Sequence, residues 1–408
     1  MAFSMHSHSG EFCPGHAKDN LEDVILTAIA RGFQTFALTE HMPRTSDSDL
    51  YPEEISAGHT ISLLQPRHDA FIEKALSLRA KYSSQIHLLI GFEAEWIRPS
   101  YSTLISTLSS SPSVDFFIGS VHHVHEIPID YDKAIYAKAV AASSGSEEKL
   151  FEDYFDSQFE MLNATKPKVV GHFDLIRLLA EEPDKDLSSF PAIWKKVVRN
   201  LKIVVELGAL LEVNSSALRK GLSEPYPRAE ICREYLKAGG KLALSDDSHG
   251  IEQVGTNYTR VLEFLDGLGV EDVWTLESVD GKVKEKVVKI LDVKASFKAQ
   301  NLPHERHFKN AAAVDQYRQV KSLAIRFSFR NSSIFLHVVD VKSGLVVVKE
   351  RITAFNRTGH DGISNGQFQW EPISALPSWV FMSLVNELVD TVDYGYRVVI
   401  GDSNYSGD

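Results

Sequence analysis

The amino-terminal segment carries two histidines, His6 and His8, which are separated by a single residue and follow a short apolar stretch. Such a stretch predicts a strand, and alternate residues of a strand project to the same side of it. His6 and His8 could therefore bind one metal ion together. Asp247 and His249 repeat this spacing after another apolar run. The sequence thus predicts metal chemistry that joins distant parts of the chain.

Most other apolar runs in the first 295 residues also end in a side chain that can bind metal. A single histidine at the end of a strand is usually a core residue with its own hydrogen-bond partner. In this sequence, each of many buried histidines and carboxylates would need its own partner, because burying a charge without a partner is costly. One shared group of cations explains all of these residues at once. They are Glu40, His41, Glu93, Glu95, His122, His123, His172, Asp174, Glu212 and Asn214.

The predicted ligands are mostly imidazoles with a few carboxylates. This mixture is typical of zinc, iron or manganese sites rather than calcium sites. The ligands are too many for a single tetrahedral ion, so two or three ions bridged by a carboxylate fit better. Clusters of this kind orient a water molecule, lower its pKa and stabilise displacement at phosphorus.

These side chains need a scaffold that brings strand ends together. Apolar strands alternate with amphipathic helices about seven times, which predicts a parallel sheet. The ends of all strands meet on one rim only if the sheet closes into a barrel. We therefore expect an α/β fold, a distorted seven-stranded (β/α)7 TIM-like barrel, over residues 1–295. After the opening strand, the predicted strands span 33–40, 87–95, 114–123, 167–174, 209–216 and 241–248, and the predicted helices span 19–32, 67–83, 147–163, 226–238 and 253–268.

The alternation stops near residue 295, and residues 296–314 are predicted to form a linker. Residues 315–408 are predicted to form a small α+β extension of unknown role. Its predicted strands are the segments SLAIRFSFR, SIFLHVVDV and GLVVVKERI, and its predicted helix spans 378–390.

Composition narrows the class of protein. The chain has 408 residues and a net charge of −12, which argues against broad binding to nucleic acid or to anionic membranes. Its apolar runs are all too short to span a bilayer. The two cysteines, Cys13 and Cys232, cannot build a disulfide framework. We therefore expect a cytoplasmic protein.

Eight motifs resemble, in order along the chain, those of the PHP superfamily and in particular of its histidinol-phosphate phosphatases. The resemblance covers residues 1 to about 290. It implies a distorted barrel with a trinuclear metal centre, and hydrolysis of L-histidinol phosphate to L-histidinol and phosphate in histidine biosynthesis. The motifs are HSHSGEFCPGHA, LTEHMPR, DLYPEE, GFEAEW, GSVHHV, GHFDLIR, LLEVNSSALRKG and LSDDSHG.

The same resemblance implies three ligand sets. His6 and His8 would share the first ion with Glu93 and Asp247. Glu93 would bridge to a second ion held by His122 and His172, and the water molecule that attacks phosphorus would be held there. The third set would be His16, His41 and His249.

Two arginines follow strand ends, and arginine binds phosphate through a bidentate pair of N–H groups. Arg177 and Arg219 are therefore predicted to bind the substrate phosphate, although a surface salt bridge is an even alternative for each on residue type alone. Glu95 is predicted to receive the amine or imidazole of the substrate, or to orient a metal-bound histidine. His123 is a further predicted substrate contact. Asp174 and Asp246 are predicted to support the ligands from behind.

Residues 42–66 form a segment too long for an ordinary connection between a strand and a helix, and such segments often cover active sites. We expect it to act as a lid, with Tyr51 and Pro52 near the mouth of the pocket.

The substrate and the oligomeric state leave alternatives open. A related phosphoesterase could act on another phosphomonoester or on nucleic-acid ends, although the acidic charge does not favour a nucleic-acid partner. A non-catalytic protein could also use metals only to hold its barrel together, but it would not need arginines for phosphate. A homodimer is a further possibility.

Overall fold

The computed structural model describes residues 1–279, 282–301, 323–330, 333–340 and 346–352. The chain divides into two compact units, Met1–His307 and Phe308–Asp408. The first unit contains every predicted site residue. The domain boundaries predicted at residues 295 and 314 stay predictions.

The first unit is built on a sheet of seven parallel strands in the order β1-β2-β3-β4-β7-β8-β9. The ring closes between β1 and β9, where the Met5 amide donates to the Leu244 carbonyl (3.0 Å) and the Asp247 amide donates to the His6 carbonyl (3.1 Å). The predicted seven-stranded barrel is therefore confirmed. Its strands are β1 (Ala2–Ser4), β2 (Phe33–Leu38), β3 (His87–Glu95), β4 (Phe116–Ser120), β7 (Val169–Val170), β8 (Leu210–Asn214) and β9 (Lys241–Ser245).

The strands are short and almost wholly buried, because parallel strands in a barrel are covered on both faces. Gly171, at the end of β7, allows a close approach to β4. A Cβ atom at this position would lie 2.2 Å from the Ser120 Oγ atom. A glycine here therefore lets the chain place His172 two positions after a strand of only two residues.

Helices surround the barrel. They are α1 (Leu21–Ala30), α2 (Pro52–Ser56), α3 (Ile61–Tyr82), α4 (Tyr101–Ser109), α5 (Lys133–Ala142), α6 (Glu147–Thr165), α7 (Pro191–Glu206), α8 (Ser216–Arg219), α9 (Ala229–Lys237), α10 (Tyr258–Gly267) and α11 (Ile290–Asn301). Five of them (α1, α3, α6, α9 and α10) match the segments predicted as helices, whereas the others were not predicted. In the part of the chain that the structure describes, no helix has the length and apolar character needed to cross a bilayer.

Three local features differ from the sequence-based expectations. Helix α3 begins at Ile61 rather than near residue 67 and runs through Pro66, so the predicted lid is partly helical. The segment predicted as one strand over 114–123 breaks after β4, and a small hairpin follows it, formed by β5 (His123–Val124) and β6 (Ile127–Pro128). An antiparallel hairpin of β10 (Asp272–Val279) and β11 (Lys282–Lys289) has no counterpart among the predicted elements.

In the second unit, the structure describes one antiparallel sheet of three strands. These are β12 (Leu323–Arg330), β13 (Ser333–Asp340) and β14 (Val346–Ile352), which lie in the three segments predicted as strands. The helix predicted over 378–390 lies outside the described residues.

Candidate metal centre

Glu93 lies at the end of β3 and is 1% exposed. Its Oε1 atom is 2.8 Å from His172 Nε2 and 3.3 Å from His122 Nε2. Its Oε2 atom is 3.2 Å from His6 Nε2 and 3.5 Å from His8 Nε2. One buried carboxylate is thus surrounded by imidazoles from three different strand ends, as expected for a ligand that bridges two cations.

The donor atoms form three groups that could each hold an ion. These are His6, His8 and Glu93; Glu93, His122 and His172; and His8, His41 and His249. The Asp247 Oδ1 atom lies 3.3 Å from His8 Nε2 and 3.6 Å from His6 Nε2, so it adjoins the first group. The first two groups bring together the residues that the resemblance implies for the first two ions.

His16 lies at the edge of the third group. Its ring centroid is 4.7 Å from that of His249 and 5.2 Å from that of His41. Its side chain is 38% exposed, and its Nδ1 atom is 3.4 Å from Glu53 Oε1 on helix α2. The structure groups His8, rather than His16, with the imidazoles of His41 and His249. The ligand role of His16 stays a prediction.

Glu212, the middle residue of β8, orients two of these ligands. Its Oε2 atom is 3.0 Å from His6 Nδ1, and its Oε1 atom accepts a hydrogen bond of 2.6 Å from the His172 amide. Asn214 Nδ2 and Ser245 Oγ donate to the same carboxylate. Because Glu212 occupies the Nδ1 side of His6, the Nε2 atom is left to face Glu93. A carboxylate behind a ligating histidine commonly has this function, and sequence reasoning assigned Glu212 no such role.

The residues fit transition-metal ions. Buried polar atoms are nearly always hydrogen bonded, yet several buried imidazole nitrogens have no hydrogen-bond partner among the described residues. Nitrogen and carboxylate donors are the ligands that zinc and similar ions prefer. The unpaired nitrogens are His6 Nε2, both ring nitrogens of His8 and of His41, His122 Nδ1 and His172 Nδ1.

Arg177 is buried at 1% exposure and is already engaged by the protein. Its Nε atom donates to Asp174 Oδ2 (2.9 Å), and its Nη2 atom donates to the carbonyls of Glu224 and Pro225 (both 2.9 Å). Its Nη1 atom makes only longer contacts, 3.4 and 3.5 Å, with Asp184 and Pro183. Any phosphate contact of Arg177 would thus have to come from Nη1, and its predicted role stays a prediction.

Arg219 lies at the end of helix α8, beside the end of β9. It donates to the backbone carbonyls of Asp246 (3.2 Å) and Asp247 (2.9 Å). These contacts use two of its five N–H groups and hold the guanidinium next to a residue of the metal centre. Arg219 is therefore better placed than Arg177 to offer free donors to a phosphate.

A model of the PHP domain family matches residues 4–216 of the chain. The chain belongs to the PHP domain family. Among curated proteins, it is 42% identical to the probable histidinol-phosphatase of Schizosaccharomyces pombe over 283 residues, which are 68% of this chain and 90% of that protein. It is 34% identical to the histidinol-phosphatase of Saccharomyces cerevisiae over 322 residues, which are 71% of this chain and 96% of that protein.

A solved structure supports the fold of this PHP protein. The histidinol phosphate phosphatase of Lactococcus lactis, in complex with zinc, L-histidinol and phosphate, aligns with a TM-score of 0.52 and 18% identity. The alignment covers 69% of this chain and 98% of the Lactococcus chain. At this identity the likeness shows a common barrel fold.

The electrostatics of the PHP centre couple its charged groups. Burial opposes ionisation of Glu93, but His6 and His122 hold the pKa of this carboxyl well below its usual value. Burial likewise opposes a charge on His6, but Glu93 and Asp247 raise the pKa of His6 well above its usual value. Burial, with His41 nearby, lowers the pKa of His8 to about 3. Metal cations entering the centre would replace protons on His6, since ligation needs neutral imidazole.

Glu95 follows Glu93 on the same strand and is fully buried. Its Oε1 atom is 3.2 Å from His41 Nδ1 and accepts a hydrogen bond of 3.0 Å from Arg44 Nη1. Arg44 also pairs with Glu54 on helix α2. Of the two roles predicted for Glu95, orienting a histidine of the centre agrees with these contacts, while the contact with substrate stays a prediction. Sequence reasoning did not anticipate Arg44.

The two aspartates that were predicted to support the ligands hold neighbouring segments in place. Asp174 Oδ2 accepts hydrogen bonds from Arg177 Nε (2.9 Å) and from the Arg228 amide (3.1 Å). Asp246 Oδ1 accepts a hydrogen bond of 2.9 Å from Ser4 Oγ, across the seam between β1 and β9.

The segment over residues 42–66 lies beside the centre. The Tyr51 ring centroid is 5.5 Å from that of His123 and 6.2 Å from that of His16. Asp49 fixes the segment from outside, because its carboxylate accepts hydrogen bonds from Arg98 and from Tyr101 Oη (2.6 Å). His123 is buried beside Tyr51, and burial lowers its pKa to about 4. These positions agree with a cover over the pocket and leave its movement a prediction.

Proposed function

We propose that this PHP protein is a metal-dependent phosphatase that hydrolyses L-histidinol phosphate to L-histidinol and phosphate. The observation that carries the proposal is the position of Glu93, whose two carboxylate oxygens each face imidazoles from different strands. The names of the two fungal relatives support the substrate. The complex of the Lactococcus protein with zinc, L-histidinol and phosphate, which are the two products of this reaction, is in accord with it.

The chain offers ligands for two or three ions of zinc, iron or manganese. His6, His8, Glu93 and Asp247 would hold the first ion, and Glu93, His122 and His172 the second. His41 and His249 would hold a third, together with His8 or with His16. When bound, such ions supply positive charge that polarises the phosphoryl oxygens and lowers the pKa of a water molecule.

The other residues of the site act through position. Glu212 and Glu95 orient the imidazoles of His6 and His41. Arg219 would bind the phosphate through its free N–H groups, with Arg177 contributing from Nη1. Tyr51 and the segment around it would exclude bulk water, which strengthens every electrostatic contact inside the site.

Three further properties belong to the proposal and await their own measurements. We propose that the protein works in the cytoplasm, that it acts on a small molecule rather than on nucleic-acid ends or at a membrane, and that it forms a homodimer. Neither another phosphomonoester nor a nucleic-acid end is favoured by any contact in the site.

The test is phosphate release from L-histidinol phosphate by purified protein with its native metals. We expect activity that a chelator abolishes and that zinc, iron or manganese restores. His8→Ala and Asp247→Ala should lose activity, whereas His125→Gln, on the exposed β5–β6 turn, should keep it. Activity that resists chelation, or a preference for a single-stranded oligonucleotide end, would refute the proposal.

A further inference from the structure

A second set of unpaired polar atoms lies next to the metal centre and includes no predicted metal ligand. Glu95 Oε2, His123 Nδ1, Asp130 Oδ1 and the Tyr226 hydroxyl are buried and have no hydrogen-bond partner among the described residues. Glu95, His123 and Tyr226 are each at most 2% exposed. Since buried polar groups are nearly always satisfied, this set indicates a place for a polar ligand.

Asp130 is half-buried, and its neighbours in the chain contact both the metal-centre segment and the segment over residues 42–66. The Ile129 amide donates to the His122 carbonyl (2.9 Å), which closes the β5–β6 hairpin behind Asp130. On the other side, the ring of Tyr131 lies 6.3 Å from that of Tyr51. In the chain, Asp130 therefore follows a segment of the metal centre and precedes Tyr131, which contacts the predicted lid.

Asp130 makes no direct ion pair with another described residue, although its charge is one of those that, after Glu93, raise the pKa of the buried His122. Glu95, the other carboxylate of this set, is paired with Arg44 at 3.0 Å and with His41 at 3.2 Å. The charges of Asp130 and its neighbours also act on each other. Burial raises the pKa of Tyr51, and the Asp130 carboxylate adds to this rise. A cationic group would compensate Asp130 directly, and the nearby aromatic rings favour a cation as well.

We propose that Asp130 is a specificity-determining residue, whose carboxylate accepts hydrogen bonds from a cationic N–H group of the substrate beside the rings of Tyr51 and His123. The inference rests on the proposed function, because L-histidinol phosphate carries an ammonium group and an imidazole in addition to its phosphate. The phosphate would be held by the metals and Arg219, and Asp130 would read the other end of the molecule.

A purely structural role for Asp130 would be to orient His122. The contacts in the structure do not agree with this orienting role. Asp130 Oδ1 and His122 Nδ1 both lack a hydrogen-bond partner among the described residues, so they do not bond to each other. By contrast, Glu212 already lies at hydrogen-bond distance from His6, 3.0 Å. The structure thus shows an orienting carboxylate at His6 but none from Asp130 at His122.

The test compares wild type with Asp130→Asn, which keeps the size of the side chain and removes its charge. We expect kcat/KM for L-histidinol phosphate to fall about 10- to 100-fold, as for loss of a charge-assisted hydrogen bond. Zinc content and inhibition by inorganic phosphate, which has no cationic group, should stay unchanged. Glu126→Gln, an exposed carboxylate in the same hairpin, serves as the matched control and should behave as wild type.

Two substrate analogues identify the group that Asp130 contacts. If the contact is with the ammonium group, the penalty of Asp130→Asn disappears for the analogue without the amine and persists for L-phenylalaninol phosphate. If the contact is with the imidazole, the pattern reverses. Equal penalties on both analogues together with loss of zinc, or no penalty on L-histidinol phosphate, would overturn the inference. A wild-type protein inactive on L-histidinol phosphate would instead refute the proposed function itself.

Discussion

Glu212→Gln is the change that should separate orientation of the metal ligands from ligation itself. Glu212 touches no predicted substrate group, yet its carboxylate lies within 3.0 Å of His6 Nδ1 and accepts a hydrogen bond of 2.6 Å from the amide of His172. Glutamine has nearly the same shape but offers one acceptor oxygen and two N–H donors. The substitution therefore changes hydrogen-bond polarity at a fully buried position without creating a cavity.

The size of the effect follows from the four contacts of this carboxylate. Oε1 contacts the His172 amide and Asn214 Nδ2, and Oε2 contacts His6 Nδ1 and Ser245 Oγ. If the glutamine oxygen replaces Oε1, its amide N–H faces His6 Nδ1 and favours the tautomer with the proton on Nε2, where a metal should bind. If the glutamine oxygen replaces Oε2, its NH2 group takes the place of Oε1 and faces two other donors, the His172 amide and Asn214 Nδ2. Either arrangement should cost about 1–3 kcal/mol of unfolding free energy and about 10- to 100-fold in metal affinity.

The assay is competition for zinc against a chromophoric chelator, with chemical unfolding of the metal-free protein measured in parallel. Glu285→Gln is the matched control, because Glu285 also accepts from two partners, Lys168 and Lys241, but lies outside the metal centre. We expect the control to keep its zinc affinity. Unchanged zinc affinity in Glu212→Gln would refute the reasoning that this carboxylate sets the tautomer of His6.

Three further predictions concern pH, phosphate binding and the second unit. Burial raises the pKa of Glu40 from 4.5 to about 8, so between these pH values the folded metal-free protein binds a proton that the unfolded chain releases. The unfolding free energy of the metal-free protein should therefore fall as pH rises through this window. Glu40→Gln should remove that fall. An identical pH dependence in both proteins would contradict this. Arg219→Met should weaken inhibition by inorganic phosphate about tenfold or more at unchanged zinc content, and more than Arg177→Met does; the reverse order in inhibition assays would exchange their roles. A chain ending at His307, the boundary between the compact units, should keep its rate of phosphate release, because all predicted site residues precede residue 250. If the shortened protein is folded and zinc-loaded but inactive, the second unit has a part in catalysis.

The barrel could be predicted from the sequence because its strands are apolar and each ends in a polar side chain. Glu93 and His172 illustrate this, since both follow buried runs and both reach the same cluster. The β10–β11 hairpin was missed because the prediction relied on apolar strands that end in a polar side chain, whereas five of the eight residues of β11 are charged.

The parts of the site that were missed depend on contacts between distant residues. Nothing in the neighbourhood of Arg44 indicates that it will pair with Glu95, fifty-one positions away. Arg177 follows a strand end, as a phosphate ligand would, but the carbonyls of Glu224 and Pro225 occupy its Nη2 atom. Residue type and spacing identify candidates for a site, and only the fold shows which of their donors are already used.

The seam between the first and the last barrel strand has a consequence for the order of events during synthesis. His6 and His8 leave the ribosome early, but Asp247, which meets them across the seam, comes more than two hundred residues later. Zinc or a similar ion therefore finds its complete coordination sphere only after nearly the whole barrel has emerged. Metal capture should accordingly follow assembly of the nascent barrel and fasten its two ends, rather than seed its folding.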